Sequence, residues 1–272
     1  MNSRYPSDTV WRVRTPPCHL EESGILYQSD FRDVATDLPE ESIDLIVTDP
    51  PYGINYRGCR FTRDNNTHNN TQSKRLSVSP MINDGYYDAL NIVESFIRHA
   101  SRILKVGSCL CCCCPGGGRH SRVFTAWTRL MNEHLRLKEV VVWDKEQLGP
   151  GGHYRKGYEL ILIATKPGGR CRWNGGRSTS NIFRHPRASR RAGDHPTPKP
   201  EALMSHFIKL HSDIGDIVMD PFAGHGTTLV AAKGLHRKYL GIEIVPEYCS
   251  ATAGRLSETA AGGLVRMSRL ES

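Results

Sequence analysis

The feature that most constrains the fold of this chain is an alternation of short β-branched runs with segments of helical periodicity. The strand-like runs lie at 24–29, 43–48, 108–114, 138–143, 158–164, 216–219 and 239–244. Apolar residues recur every three or four positions at 87–105, and further helices are predicted near 119–133, 200–211, 226–236 and 246–258. Strands that alternate with helices form crossover units, so we expect an α/β fold with a Rossmann-like, mostly parallel sheet and helices on both faces.

Three parts of the chain depart from this alternation. The segment that joins 138–143 to 158–164 has no helical pattern, so we expect these two runs to form an antiparallel edge of the sheet. The stretches 53–86 and 166–198 lack periodicity, and loops of such length are uncommon in compact domains unless they serve a function. We therefore predict a single domain over residues 1–272, with a loop insertion at 53–86 on the catalytic side.

The positive charge of the chain is concentrated in the second of these stretches. The formal net charge is +8, and residues 166–195 hold eight lysines and arginines against Asp194 alone. A charge run is commonly just a solvated surface, but this concentration favours a loop that faces a polyanion. We interpret 166–194 as a basic nucleic-acid recognition loop.

Hydropathy and cysteine placement limit the cellular context and the metal chemistry. No apolar run approaches the roughly 18 residues of a membrane span, and the first residues lack a signal-peptide pattern, so we expect a cytosolic protein without a membrane partner. Cys109 and Cys111 to Cys114 lie in "SCLCCCCPGGG", which has the pattern of a buried strand with side chains on alternating faces. Adjacent strand residues cannot converge on one ion, and no second pair has zinc-site spacing, so we predict core cysteines and no metal site.

The strand-like run at 43–48 ends in a chemically unusual corner, "IVTDPPYGI". Two adjacent prolines donate no backbone N–H and hold φ near −65°. The segment Asp49-Pro50-Pro51-Tyr52 is therefore a stiff, extended corner whose carbonyl groups are free to accept hydrogen bonds. This pattern predicts a ligand with N–H donors.

A second strand end is followed by a glycine loop, "DPFAGHGTT", at residues 220–228. Gly224 and Gly226 allow close approach of a ligand to the backbone, but Leu229 stands where a dinucleotide fingerprint needs its third glycine. A nucleoside without a phosphate is thus the favoured ligand, and Glu243, 17 residues beyond Gly226, is placed to accept the hydroxyls of a ribose. Because ligands bind at the carboxyl ends of parallel strands, we expect the proline corner and the glycine loop to share one cleft.

These motifs together resemble the DNA amino-methyltransferases, which use S-adenosylmethionine to methylate the exocyclic amine of adenine or cytosine. The order of "DPPY" before "DPFAGHGTT" resembles their circularly permuted β-group, and "HPTPKP" at 195–200 is similar to the motif that closes over the methionine end of the cofactor. The resemblance spans roughly residues 24–258. It implies the permuted methyltransferase fold, S-adenosylmethionine as cofactor, double-stranded DNA as substrate, a role in restriction-modification and a homodimer, with any partner nuclease unknown.

The resemblance also implies roles for individual residues. Asp30 would bond the cofactor's adenine amine, Phe222 and Ile244 would pack near that ring, Glu243 would hold the ribose, and Thr197 with Lys199 would face the methionine portion. The full cofactor-binding set is Asp30, Phe31, Asp49, His195, Pro196, Thr197, Lys199, Asp220, Pro221, Phe222, Gly224, Gly226, Thr227, Thr228, Glu243 and Ile244. The catalytic set is Asp49, Pro50, Pro51 and Tyr52.

The proline corner suits the chemistry of an aromatic amine. Its lone pair is delocalised into the ring, so a site that accepts the amine protons with the Asp49 carboxylate and the Pro50 carbonyl, and stacks the base on Tyr52, would pyramidalise the nitrogen. A base inside a duplex cannot reach such a corner and must flip out. Asp rather than Ser before Pro-Pro-Tyr favours adenine. The alternatives are a cytosine-N4 DNA methyltransferase, an RNA or protein amine methyltransferase and a non-enzymatic DNA-binding regulator.

DNA contacts are predicted in the two aperiodic stretches. Many larger relatives append a C-terminal DNA-reading region, whereas this chain ends soon after its last helical pattern, so we expect base recognition from 53–86 and 166–194. The predicted DNA-binding residues are Arg57, Arg60, Arg63, Arg170, Arg172, Arg177, Arg184, Arg187, Arg190 and Arg191.

Overall fold

The structure, a computed structural model, describes residues 13–53, 59–61, 75–77, 85–116, 121–149, 153–187 and 199–260. The strands are β1 (His19–Glu21), β2 (Gly24–Gln28), β3 (Ile43–Thr48), β4 (Cys59–Phe61), β5 (Arg75–Ser77), β6 (Leu104–Cys114), β7 (Arg136–Asp144), β8 (Tyr158–Thr165), β9 (Ile182–Arg184), β10 (Ile217–Asp220) and β11 (Lys238–Glu243). The helices are α1 (Phe31–Asp37), α2 (Tyr86–Ile103), α3 (Ser121–His134), α4 (Glu201–His211), α5 (Thr227–Gly234) and α6 (Pro246–Glu258). In the part of the chain described, no helix is long and apolar enough to cross a membrane.

Nine of the strands form one sheet in the order β1-β2-β11-β10-β3-β6-β8-β7-β9. The neighbours from β2 to β6 pair in parallel, which confirms the predicted mostly parallel α/β sheet. β7 and β8 pair antiparallel as expected. The expectation that this pair forms the edge is wrong, because β9 pairs with β7 outside it. β9 has only three residues, too few to show a period in the aperiodic stretch that contains it.

Helices cover both faces of the sheet, as predicted. Buried side chains of α1, α2 and α3 pack into one core layer, and those of α4, α5 and α6 pack into the other. The cysteines of β6 alternate between the layers: Cys112 and Cys114 lie in the first, whereas Cys109, Cys111 and Cys113 lie in the second. This confirms the period of two that the cysteine run predicted.

Two element boundaries differ from the sequence prediction. The helix predicted to run to residue 105 ends at Ile103, and β6 begins directly at Leu104, whose backbone is extended. The strand therefore starts four residues earlier than the predicted 108, with Gly107 at a φ of 79° inside it. A Cβ at Gly107 would lie 2.5 Å from the carbonyl oxygen of Arg170, so this position needs glycine for both its conformation and its contact.

The direction of the strands defines two edges of the sheet. The strands β3, β6, β10 and β11 all end at the carboxyl edge. Because β8 is antiparallel to β6 and to β7, β8 begins at this edge, and β7 and β9 end there. At the opposite amino edge, β3, β10 and β11 begin and β8 ends. The stretch that follows Thr165 therefore starts at the amino edge and reaches the carboxyl edge only after crossing the sheet as β9.

Candidate active site

The proline corner lies at the carboxyl edge, directly after β3. Pro50 is buried, and Gly53 ends the corner with a φ of 68°. A Cβ at Gly53 would come within 2.9 Å of the Cα of Tyr86, the first residue of α2. The corner thus packs between the end of β3 and the start of α2, and this packing fixes the position of its backbone.

Both carboxylate oxygens of Asp49 accept hydrogen bonds. The hydroxyl of Tyr52 donates to Oδ1 at 2.6 Å, and Nζ of Lys199 donates to Oδ2 at 2.5 Å. The same Nζ lies 5.3 Å from the centroid of the Tyr52 ring, and that ring packs edgewise on Trp127 with centroids 6.0 Å apart. The acid and the aromatic ring of the corner are therefore held in a fixed relation to each other.

Lys199 connects Asp49 to a line of charges of alternating sign, in which Lys199 and Lys145 are buried and Glu159 is half-buried. Nζ of Lys199 lies 3.3 Å from Oε2 of Glu159, whose Oε1 accepts a hydrogen bond from Nζ of Lys145. Burial by itself would lower the pKa of Lys199, but Asp49 and Glu159 outweigh it and raise the pKa, so the ammonium is charged at neutral pH. Burial would raise the pKa of Glu159, but the two ammonium groups hold it below its ordinary value.

Sequence reasoning missed Glu159 and Lys145. The available signal was an acid near the start of β8, which otherwise reads as an apolar strand, "YELILIAT". A charged residue in such a strand is rarely buried unless it is paired. Its partners come from the end of β7 and from the start of α4, which only the folded chain brings together.

The glycine loop lies beside the proline corner, as predicted. β3 and β10 are parallel neighbours, and the hydroxyl of Thr48 donates to Oδ1 of Asp220 at 2.6 Å. The backbone N–H of Phe222 donates to the same oxygen at 3.1 Å. Burial raises the pKa of Asp220 to about 6, since the low-polarity surroundings disfavour its charged form. The two strand ends are therefore joined through a buried carboxyl group.

The two glycines of the loop have different surroundings. Both have positive φ, 52° at Gly224 and 73° at Gly226. A Cβ at Gly226 would lie 2.3 Å from Cγ2 of Thr252 in α6, whereas a Cβ at Gly224 would meet nothing within 4 Å. Gly226 is thus required by helix packing, and Gly224 borders open space above the loop.

Glu243 places a carboxylate directly against this loop. The backbone N–H of Gly224 donates to Oε2 at 2.7 Å, and that of Val245 donates to Oε1 at 2.8 Å. Each oxygen keeps a second lone pair, and the side chain is only 8% exposed, with its pKa raised by burial. The next residue, Ile244, is 45% exposed. A fixed acceptor pair, an open space and an exposed apolar side chain fit a nucleoside with a ribose diol.

The other predicted cofactor residues lie near this loop. The Phe222 ring packs on Phe31 and Phe96, with centroids 5.1 and 5.5 Å apart. Asp30 caps α1 by accepting from the Arg32 N–H at 2.9 Å, and it also binds the Arg32 guanidinium, which lowers the pKa of Asp30. β2, which precedes Asp30, pairs with β11 up to Glu243.

Some predicted residues lie outside the described part of the chain. These are Arg57, Arg63, Arg190, Arg191, His195, Pro196 and Thr197. Of Arg60 only the backbone, in β4, is described. Pro221, Thr227 and Thr228 follow Asp220 in the glycine loop and the first turn of α5.

The described arginines of the basic stretch are divided between the two edges. Arg184 ends β9 at the carboxyl edge, and Arg187 follows it there. Arg170, Arg172 and Arg177 lie between the end of β8 and the start of β9, at the amino edge. NH1 of Arg172 is 2.9 Å from Asp213 and 2.6 Å from Asp216, so its charge is already paired.

Comparison with known proteins gives consistent results. A family model for DNA methylase of the N6/N4 type matches residues 43–254. The chain is 27% identical to the Type II methyltransferase M2.LlaDCHI of Lactococcus lactis subsp. cremoris, over 93% of this chain and 96% of that protein. It is 26% identical to the Type II methyltransferase M2.MboI of Moraxella bovis, over 86% of this chain and 87% of that protein.

Solved structures share the fold. The PvuII DNA methyltransferase (cytosine-N4-specific) superposes with a TM-score of 0.67 at 19% identity, covering 89% of each chain. The M1.HpyAVI–SAM complex superposes with a TM-score of 0.62 at 23% identity, covering 85% of this chain and 98% of that one. The fold of this chain is therefore a known architecture.

Proposed function

The chain belongs to the DNA methylase family and is an S-adenosylmethionine-dependent DNA methyltransferase; on this premise we propose that it methylates the exocyclic amine of a flipped adenine in double-stranded DNA. The observation that supports the proposal most is the position of Asp49. Its carboxylate is anchored at the carboxyl edge, next to the glycine loop that Glu243 borders. An amine acceptor and a nucleoside site thus share one cleft.

The cofactor site is proposed at the glycine loop. S-adenosylmethionine supplies an electrophilic methyl group on a sulfonium centre. Glu243 accepts the ribose hydroxyls with the lone pairs that its backbone contacts leave free, and Gly224 keeps the space above the loop open. Phe222 and the exposed Ile244 provide apolar surface for the adenine ring.

The proline corner acts on the target amine. The Asp49 carboxylate and the Pro50 carbonyl accept hydrogen bonds from the two N–H bonds of the amine, which draws the nitrogen lone pair out of conjugation with the ring. Tyr52 stacks on the flipped base, and this contact offsets part of the few kcal/mol that unpairing costs. The residues of the corner contribute by positioning and electrostatics, and no covalent intermediate with the protein is needed.

We assign Lys199 to the corner rather than to the methionine portion of the cofactor. Its Nζ contacts Asp49 and Glu159 and lies over the Tyr52 ring. Lys199 is therefore a positioning residue: it holds the Asp49 carboxylate in one orientation, and Glu159 with Lys145 holds Lys199. This arrangement keeps the acceptor aligned before the base arrives, so less reorganisation remains for the reaction.

Adenine is the finer part of the proposal, and cytosine-N4 methylation is the competing activity. Asp at position 49, before Pro-Pro-Tyr, favours adenine. Unmethylated DNA of mixed sequence is treated with the enzyme and S-adenosylmethionine. One portion is digested to nucleosides for mass spectrometry, and a second, intact portion is read by single-molecule sequencing. We expect N6-methyladenine at one short sequence; N4-methylcytosine would overturn the base assignment and leave the methyltransferase assignment intact.

The DNA surface is proposed at the carboxyl edge. Arg184 and Arg187 lie there, and the predicted DNA-binding residues Arg190 and Arg191 follow them in the chain. The single domain of 1–272, with a loop insertion at 53–86 and a DNA-recognition loop at 166–194 whose DNA contacts begin at Arg184, remains a proposal, as do the homodimer and the cytosolic location. Light scattering of the purified protein tests the dimer.

A further inference from the structure

Two cysteines and a histidine from distant parts of the chain meet at the amino edge. They are Cys109 in β6, Cys171 after β8 and His211, the last residue of α4. The two sulfur atoms are 3.0 Å apart, and one ring nitrogen of His211 lies with them inside a 4.8 Å cluster. Cys109 and His211 are buried, whereas Cys171 is partly exposed. Methyl transfer at the opposite edge uses none of these groups.

The backbone holds this trio together without help from the trio itself. Cys109 pairs with Thr165 in the sheet, and the chain after β8 turns back so that Arg170 packs against Gly107. Asn174 then joins this turn to the end of α4: its N–H donates to the Leu210 carbonyl at 2.8 Å, and Nδ2 donates to the Ser212 carbonyl at 2.9 Å. The sulfurs and the imidazole are therefore preorganised.

The chemistry of the three groups is that of a soft metal site. Thiolate sulfur and imidazole nitrogen are the donors that zinc prefers in proteins, and three protein ligands with one open position make a complete tetrahedral set. Nδ1 of His211 donates to the carbonyl oxygen of Arg172 at 3.2 Å, a backbone contact that orients the ring. Because Cys171 is partly exposed, an ion can reach the three groups from solvent.

We propose that Cys109, Cys171 and His211 bind one thiophilic divalent cation, Zn²⁺, with a water molecule as fourth ligand. On binding, both thiols release their protons to solvent, so two thiolates balance the charge of the ion. Two sulfurs at 2.3 Å from a tetrahedral zinc lie about 3.8 Å apart. The partly exposed Cys171 would move outward by somewhat under 1 Å.

Sequence spacing could not indicate this site, and the sequence analysis predicted no metal. The intervals between the ligands, 62 residues from Cys109 to Cys171 and 40 from there to His211, match no short zinc motif. The bound ion would fasten the start of the basic stretch to the sheet and to α4. Because the site lies at the edge opposite Asp49, the ion takes no part in methyl transfer.

The test uses the full-length chain, stripped of metal and kept reduced with a phosphine. Titration with Co²⁺ should give thiolate-to-cobalt charge-transfer absorption and the strong visible bands of tetrahedral cobalt. The signal should saturate at one ion per chain and disappear on addition of Zn²⁺. Cys171→Ser and His211→Gln should each weaken Co²⁺ binding by about 100-fold or more, because loss even of an outer contact costs 10- to 100-fold.

The matched control is Cys18→Ser, which changes an exposed cysteine outside the cluster and should leave the titration unchanged. Circular dichroism and methylation of DNA verify that each variant is folded, so loss of metal binding is separable from loss of the enzyme. A reduced wild-type chain that titrates like Cys171→Ser would overturn the proposal. A reduced chain that binds no cobalt would also overturn it, and if peptide mapping of a chain purified without reductant then recovers Cys109 and Cys171 as a disulfide, the two cysteines are a redox pair instead.

Discussion

The carboxyl and amino edges of the sheet both carry ionisable side chains but use them differently. At the carboxyl edge burial raises the pKa of Asp220 and of Glu243, whereas the ammonium groups of Lys199 and Lys145 lower the pKa of the half-buried Glu159. At the amino edge the ion pair of Arg172 with Asp216 is partly exposed. Exposed pairs contribute only about 0–1 kcal/mol. Acids kept in surroundings that disfavour their charge are typical of functional sites, which agrees with the reaction proposed at the carboxyl edge.

The largest expected effect is on the rate of methyl transfer, and we compare it for the same substitution, Asp to Asn, at each edge of the sheet. Asp49→Asn removes the carboxylate charge at the corner, and we expect the rate of methyl transfer to fall by about 10²–10³ or more, as for loss of a preorganised transition-state contact. Asp216→Asn removes the corresponding charge of an ion pair at the amino edge and should leave the rate within about twofold, since such a pair contributes little. Single-turnover transfer of a labelled methyl group measures both. A D49N rate near that of wild type would remove Asp49 from the mechanism.

The second comparison uses two buried lysines. Nζ of Lys199 contacts Asp49, whereas Nζ of Lys233 contacts Glu21 at 2.7 Å and the Leu256 carbonyl at 2.8 Å, away from the corner. Lys199→Met should lower kcat by up to about 100-fold, because misplacing a reacting group costs that much, and Lys199→Arg should recover part of it. Lys233→Met should lower the free energy of unfolding but leave kcat of the folded enzyme unchanged.

Calorimetry decides between the two roles for Lys199. If Lys199 positions Asp49, the Kd for S-adenosylmethionine stays within about twofold of wild type in the K199M variant, a change below roughly 0.4 kcal/mol. A large rise in that Kd with kcat preserved would assign Lys199 to the methionine portion of the cofactor.

A third comparison lies within the glycine loop. The new methyl group in Gly224→Ala enters the open space proposed for the cofactor, and we expect S-adenosylmethionine binding to weaken about tenfold, or about 1.4 kcal/mol. The methyl group in Gly226→Ala instead meets Thr252, so the free energy of unfolding should fall by about 1–3 kcal/mol. Calorimetry and chemical denaturation measure the two effects. If G224A binds the cofactor like wild type, the nucleoside does not lie over this glycine.

The smallest effect concerns DNA. Arg184→Ala and Arg187→Ala, at the carboxyl edge, should each reduce the slope of log affinity against log salt by about 0.9, the value for one phosphate contact. Arg170→Ala and Arg177→Ala change exposed arginines at the amino edge and should leave the slope unchanged. Fluorescence anisotropy at several salt concentrations measures all four. Equal slope changes at both edges would mean that DNA contacts the whole basic stretch.

Local sequence was enough to predict most of the elements. The alternation of periods predicted the α/β sheet and the cysteine run predicted alternate faces, and both are confirmed. These inferences succeed because the hydrophobic period is a local property. The roles that the strand ends predicted for Asp49 and Glu243 remain proposals. α1 was missed because its seven residues make only two turns, too short to show a period.

The contacts between distant groups depend on the tertiary fold. Lys199 reaches Asp49 across 150 residues of sequence, and Thr48 reaches Asp220 across 172. It also showed that Gly226 serves packing rather than the open cleft, and that the basic stretch crosses from one edge to the other through β9. The physical reason is that strand order and direction place side chains from separate segments side by side, and no local pattern of residues encodes that order.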